Sequence, residues 1–209
     1  MNAQARLEDF IGTIVRDPQL HARWLNTFSF LEYVGFRKIV KSQKAETLSA
    51  TVLNHAVEEG RHALRLKKLA IALGGRAFET YAPETLICGA AAEDYFQSLD
   101  RECEAQFADR NESERGKLTY LYVTWLVERR ALEVYGLYKR AVAGTQIAQQ
   151  LEGLLAEETG HLRQVESEIA ASDAQHVARA AKVIALEAHL YAAFLDTLAS
   201  ALASEAAAA

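Results

Sequence analysis

Four long stretches of the chain place apolar residues at alternating steps of three and four, the spacing of helices that bury one face against a neighbour. The first is predicted as a helix over about 18–44. Its stripe holds Leu25, Phe28, Gly35 and Ile39, with Glu32 on the same line. The second, about 46–73, reads Leu48, Val52, His55, Glu59, His62, Leu66, Leu69 and Leu73. The third, about 113–143, reads Leu118, Leu121, Trp125, Glu128, Leu132 and Tyr135, and the fourth, about 145–171, Ile147, Leu151, Leu154, Glu158, His161 and Val165. Each stripe is interrupted by a carboxylate, which needs a partner there because burying it alone is costly.

The remaining segments join these four. Residues 5–16 suit a short opening helix that ends near Asp17-Pro18, with Pro18 at a first helical position. Gly74-Gly75 stops the second long helix. Residues 76–112 form a crossover, with a helix starting at Pro83-Glu84 and running to Phe107, its face marked by Tyr95, Phe96, Leu99 and Cys103. Ala143-Gly144-Thr145 is a short turn, so the third and fourth long helices are expected to be antiparallel neighbours. A last helix, 172–205, starts at Ser172-Asp173 and passes through Val183, Leu190 and Phe194, with Glu187 near its apolar face. It is expected to pack outside the other four or in an oligomer contact, and to fray at its alanine-rich end. The fold class read from this pattern is all-α: a single domain over 1–209, a four-helix bundle with a long helical crossover and an extra C-terminal helix.

Composition adds exclusions. Of 209 residues half are hydrophobic and only two are proline, which suits a helical domain with a sizeable core. The formal net charge of −5 offers no basic footprint for nucleic acid or an anionic membrane. No run of eighteen apolar residues occurs and the first ten residues have no apolar signal core, so a cytoplasmic protein with no membrane partner is expected. Cys88 and Cys103 form no Cys-x-x-Cys and read as reduced thiols.

The interruptions carry the chemistry. Glu58-Glu59-Gly60-Arg61-His62 recurs as Glu157-Glu158-Thr159-Gly160-His161. Three helical residues turn the chain through about 300°, so a Glu-x-x-His pair shares one face and can hold one metal ion. The stripes select Glu59 and Glu158, leaving Glu58, Glu157 and Glu133 to solvent. Glu128 follows Glu32 by 96 residues and Glu158 follows Glu59 by 99, so the chain is weakly duplicated. Four buried carboxylates repel one another unless cations neutralise them. Two divalent ions would do so, and oxygen-rich ligation with one imidazole per ion suits iron(II) or manganese(II) better than structural zinc. His55, one turn before Glu59, reads as a satisfied core histidine, with a supporting or ligating role as the alternative. Trp125 and Tyr135 read as core aromatics, with electron relay or a pocket wall as the alternative. Gly35 and Ala131 leave room for dioxygen or substrate, or allow close helix packing. Lys67-Lys68 and Arg129-Arg130 read as solvated faces, and His21, His176 and His189 carry no assigned role.

Glu32, Glu59-x-x-His62, Glu128 and Glu158-x-x-His161 together resemble the ligand set of the ferritin-like di-iron carboxylate superfamily. The resemblance spans the four long helices and the crossover. It implies a ferritin-like bundle with two iron ions, or manganese in their place, held by those six residues. It does not carry a reaction across. The chain lacks the paired Cys-x-x-Cys motifs of a full-length rubrerythrin, and the 76–112 crossover is more like the single-domain oxygenases than compact storage ferritins. A weakly acidic balance argues against a tRNA substrate. The function expected is that of an oxidase or oxygenase activating dioxygen toward a small organic substrate, with an electron donor that the sequence does not name. A ferroxidase, iron-storage or peroxide-detoxifying protein is the alternative, and a non-enzymatic helical interaction module the second. A homo-oligomer is compatible with all three.

Overall fold

The computed structural model describes residues 3–43, 45–46 and 48–208. Among them are seven α-helices and no strand: α1 (Ala3–Ile14), α2 (Pro18–Ser42), α3 (Ala50–Gly74), α4 (Gly89–Ala105), α5 (Glu112–Ala141), α6 (Gln146–Ser172) and α7 (His176–Ala208). The all-α expectation therefore holds. By their contacts the residues fall into two compact units, one formed by Met1–Glu93 with Asp196–Ala209 and the other by Asp94–Leu195.

The first unit is built on α2 and α3. Asp17 caps α2, its carboxylate accepting from the backbone N–H of Gln19 at 2.7 Å and of Leu20 at 3.0 Å, with Pro18 opening the helix. Lys44, where the sequence placed the end of this helix, lies outside the described residues. Ser49 caps α3 by accepting from Val52 N at 3.2 Å, so α3 begins at Ala50 and not at Glu46 as expected, and Leu48 precedes the helix and is exposed. At the other end Gly75 adopts φ 84°, a left-handed conformation that suits glycine, and its N–H closes on Ile71 O at 2.8 Å. Ser29 reaches Ala63, Glu32 reaches His62 and Gly35 meets Glu59. Rising numbers on one helix meet falling numbers on the other, so the pair is antiparallel.

The segment after α3 departs from expectation. Pro83–Thr85 is a single 3-10 turn, not the start of a long helix. Leu86 is extended, Ile87 N donates to Thr27 Oγ1 at 2.8 Å, and Cys88 adopts φ 52°; a helix resumes only at Gly89. Tertiary hydrogen bonds to α2 thus override the local helix signal at Pro83. In the same unit the alanine-rich end of α7 is helical through Ala208, with Leu198 and Leu202 buried and Glu205 paired with Arg23.

The second unit pairs α5 with α6. Asn111 and Thr145 cap them, accepting from Glu114 N at 3.0 Å and Ala148 N at 3.3 Å. Trp125 donates to Glu166 at 3.1 Å, and Lys139 pairs with Glu152 at 3.5 Å, the antiparallel register expected from the short turn. Leu99, Phe107, Leu121, Tyr122, Ile169 and Val183 anchor a core shared by α4, α5, α6 and α7. Both cysteines are free, as expected. By length and composition α7 is long and apolar enough to cross a membrane, with a window of mean hydropathy 1.3.

Candidate metal centre

Each unit contains one copy of the same arrangement. In the first, α2 supplies Glu32 and α3 supplies Glu59 and His62. His62 Nδ1 lies 3.7 Å from Glu32 Oε2 and 3.9 Å from Glu59 Oε1. In the second, α5 supplies Glu128 and α6 supplies Glu158 and His161. His161 Nδ1 lies 3.7 Å from Glu128 Oε1 and 3.3 Å from Glu158 Oε2. In both, the imidazole turns the same nitrogen toward its helix-mate carboxylate and toward the carboxylate of the neighbouring helix. All six residues are between 0% and 9% exposed. Glu58 and Glu157 are only half-buried, so the burial pattern selects the same glutamates as the apolar stripes.

These separations fit a shared ion. Two ligands each about 2.1 Å from one metal are about 3.0 Å apart at right angles and about 4.2 Å apart when opposite. The four nitrogen–oxygen distances fall inside that span, and most exceed a good hydrogen bond. Each half brings two carboxylates and one imidazole, so one divalent cation balances its charge. There is no sulfur among these donors, which speaks for an oxygen-preferring ion. Buried histidine and glutamate groups of this kind could hold a metal ion.

The support around the two halves differs. In the first, Gly35 faces Glu59: a Cβ at that position would sit 3.0 Å from Glu59 Oε2. Of the two alternatives at Gly35, room for a small molecule or close helix packing, this contact fits close packing, with the Glu59 carboxylate in the space. Ser29 donates to Ala63 O at 2.6 Å, beside His62, and its hydroxyl shares a hydrogen bond with that of Tyr81 at 2.9 Å. Burial raises the Tyr81 phenol above its ordinary range, opposed by the Ser29 hydrogen bond and reinforced by Tyr33 and Glu32. Next to it lies Lys67, which the sequence assigned to a solvated face. Lys67 is instead buried, because its Nζ donates to Asn26 Oδ1 and to Thr80 O at 3.0 Å and sits 3.4 Å from the centre of the Tyr81 ring. Burial pushes its ammonium down to about 8. Asn26, itself fully buried, donates to Thr85 Oγ1 at 2.9 Å. Lys68 is exposed, as expected.

In the second half Arg130 corrects the other solvated pair. Its guanidinium grips Glu187 with two bonds, 2.8 Å from Nε and 2.7 Å from Nη2, also bonds Glu133, and lies 3.8 Å from the centre of the Tyr191 ring. Glu133 is therefore a half-buried partner and not a solvated charge. Tyr95 donates to Glu187 at 2.6 Å, which completes that carboxylate. Burial, together with the Glu187 charge and hydrogen bond, holds the Tyr95 phenol well above its usual range. Arg129 is exposed and stacks over Trp125 at 4.8 Å. Trp125 and Tyr135 are both buried. Asp173 is also buried and takes hydrogen bonds from Tyr122 and Arg179, each 2.7 Å, and from Gln175 N at 3.0 Å. Burial alone would raise its carboxyl; the three donors outweigh it and leave Asp173 below the usual carboxylate range. Among the charged supporting residues Glu187 carried a signal in the sequence, a charge beside an apolar stripe.

No family model, curated protein or solved structure matches the chain.

Proposed function

We propose that the two half-sites act together as one dinuclear metal centre in a ferritin-like four-helix bundle, with iron as the ion and dioxygen and a small organic molecule as substrates. The observation that carries this reading is the repeated geometry: His62 and His161 each turn Nδ1 to the carboxylate of the neighbouring helix at 3.7 Å. A chance buried Glu–His pair has no reason to occur twice with the same partner set. Four carboxylates against two imidazoles match the charge of two divalent ions, and the sulfur-free donor set favours iron(II) or manganese(II).

Glu32, Glu59, Glu128 and Glu158 would hold the ions and balance their charge, and His62 and His161 would bind as neutral imidazoles through Nδ1. A pair of iron(II) ions supplies two electrons for the reduction of dioxygen. The protein's own part is to fix the donors before the ions arrive. Gly35 lets Glu59 lie flat against α2, and Ser29 ties α2 to α3 beside His62. Burial of all six donors keeps water from the ions, which strengthens every charge interaction there.

Anaerobic loading with iron(II), metal analysis and dioxygen uptake test the proposal. The expected result is about two ions per chain, lost in Glu59→Ala and Glu158→Ala, with dioxygen consumed by the loaded protein in a small oligomer. Protein that holds no iron, or that retains it in both variants, contradicts the site. A many-subunit shell storing many irons per chain contradicts the oxygenase reading.

A further inference from the structure

Position 55 is a place on the inward stripe, one turn from Glu59, where the duplicated halves differ. The residue 99 positions after His55, the offset that relates Glu59 to Glu158, is Leu154, which is fully buried. The fold thus takes leucine at this place in the stripe. In the first half an imidazole stands there instead, 8% exposed, with Nε2 3.3 Å from Glu59 Oε1. That distance equals the one between His161 Nδ1 and Glu158 Oε2, and falls where two ligands of one ion sit on a right-angled to tetrahedral edge. The same Glu59 oxygen lies 3.9 Å from His62 Nδ1, so it stands between an imidazole from the preceding turn and one from the following turn. Placing a polar ring on an apolar stripe costs free energy unless a partner repays it.

We propose that His55 is a seventh metal ligand, binding through Nε2 the ion that Glu59 Oε1 holds. The proposal rests on the dinuclear reading above. It makes the two ions inequivalent: one has two imidazoles and the other has one. An added nitrogen donor favours the later divalent metals, so the nitrogen-rich position binds cobalt(II) more tightly than its neighbour and fills first.

Calorimetric and optical titration of the apo-protein with cobalt(II) tests this without recourse to turnover. The wild-type chain should show two affinities. In His55→Leu, which copies the residue of the second half, the tighter one should weaken at least about tenfold and the other should hold. His55→Gln keeps a side-chain donor for Glu59 Oε1 but offers no imidazole, and should show the same loss. If His55 serves only as a hydrogen-bond partner, the glutamine variant will bind both ions as the wild type does. That result overturns the proposal while leaving the dinuclear reading intact, as would two unchanged affinities in the leucine variant. Should the leucine variant fail to fold, judged by circular dichroism, the glutamine variant decides alone. A wild-type chain that binds no cobalt overturns both readings.

Discussion

The α2–α3 and α5–α6 pairs present the same three donors on unrelated scaffolding. Glu32 and Glu128, Glu59 and Glu158, His62 and His161 match in spacing and in which nitrogen faces which oxygen. Around them almost nothing matches. The offsets that align the donors set Gly35 against Ala131, Ser29 against Trp125, and Lys67 against Glu166. The first pair is tied to the segment after α3 by a buried lysine that meets the neutral groups of Asn26, Thr80 and the Tyr81 ring. The second is tied to α7 by the charged cluster of Arg130, Glu187 and Glu133. The positions that could touch a metal are constrained by geometry, whereas the means of holding the helices is free to differ. Each half can therefore be weakened by itself.

Arg130→Ala should have the largest effect. It leaves Glu187 buried without its cation, and breaking such a pair costs about 3–5 kcal/mol. Chemical denaturation should show this loss, and Glu187→Gln in the same background should recover part of it. Recovery of nothing would mean that the cluster contributes through packing and not through charge.

Lys67→Met should cost less, about 1–3 kcal/mol at neutral pH, because Asn26 and Thr80 lose their donor while a costly buried cation disappears. The pH dependence is the sharper test. Folding lowers the Lys67 pKa from 10.5 to about 8, so between those values the unfolded chain binds more protons at this site. The penalty for burying the charged ammonium is therefore complete below about pH 8 and is relieved as the pH rises from there toward 10.5. Relative to the Met variant, the wild type should gain stability between pH 8 and pH 10. A flat difference over that window would contradict the buried-cation account.

A smaller effect is expected from Gly35→Ala. The new Cβ would meet Glu59 Oε2 at 3.0 Å, while alanine improves helix propensity by about 1 kcal/mol, so apo stability should change little. Metal affinity should nevertheless fall, because the displaced group is one of the proposed metal donors. Glu58→Ala and Glu157→Ala should be the mildest, within about 0.5 kcal/mol in stability and unchanged in metal content. If metal content instead follows Glu58 and Glu157, the inward face has been assigned one residue off.

The long helices were legible in the sequence because a stripe of period 3.5 has only one way to face a neighbour. That stripe chose Glu59 over Glu58 and Glu158 over Glu157, and burial makes the same choice. What the sequence concealed depends on distant partners. Lys67 lies one position off the stripe and reads as a surface charge; only the return of Thr80 and Tyr81 after Gly75 encloses it. Arg130 is buried by Glu187 and Tyr191, some sixty residues away, and periodicity within α5 carries no trace of them. Pro83 is a true helix-start signal that Thr27 and Asn26 divert into a single turn. At Gly35 a missing side chain left room and close packing equally open in the sequence, and the space belongs to Glu59.

In the proposed centre six donors from the two halves hold two ions together. An anomalous-scattering map of crystals loaded anaerobically with iron(II), recorded at the iron edge, tests it most directly. Two peaks about 3.5–4 Å apart, bounded by Glu32, Glu59, His62, Glu128, Glu158 and His161, are the predicted result. A single peak outside these residues, or no peak in protein that is folded and iron-saturated, would contradict it.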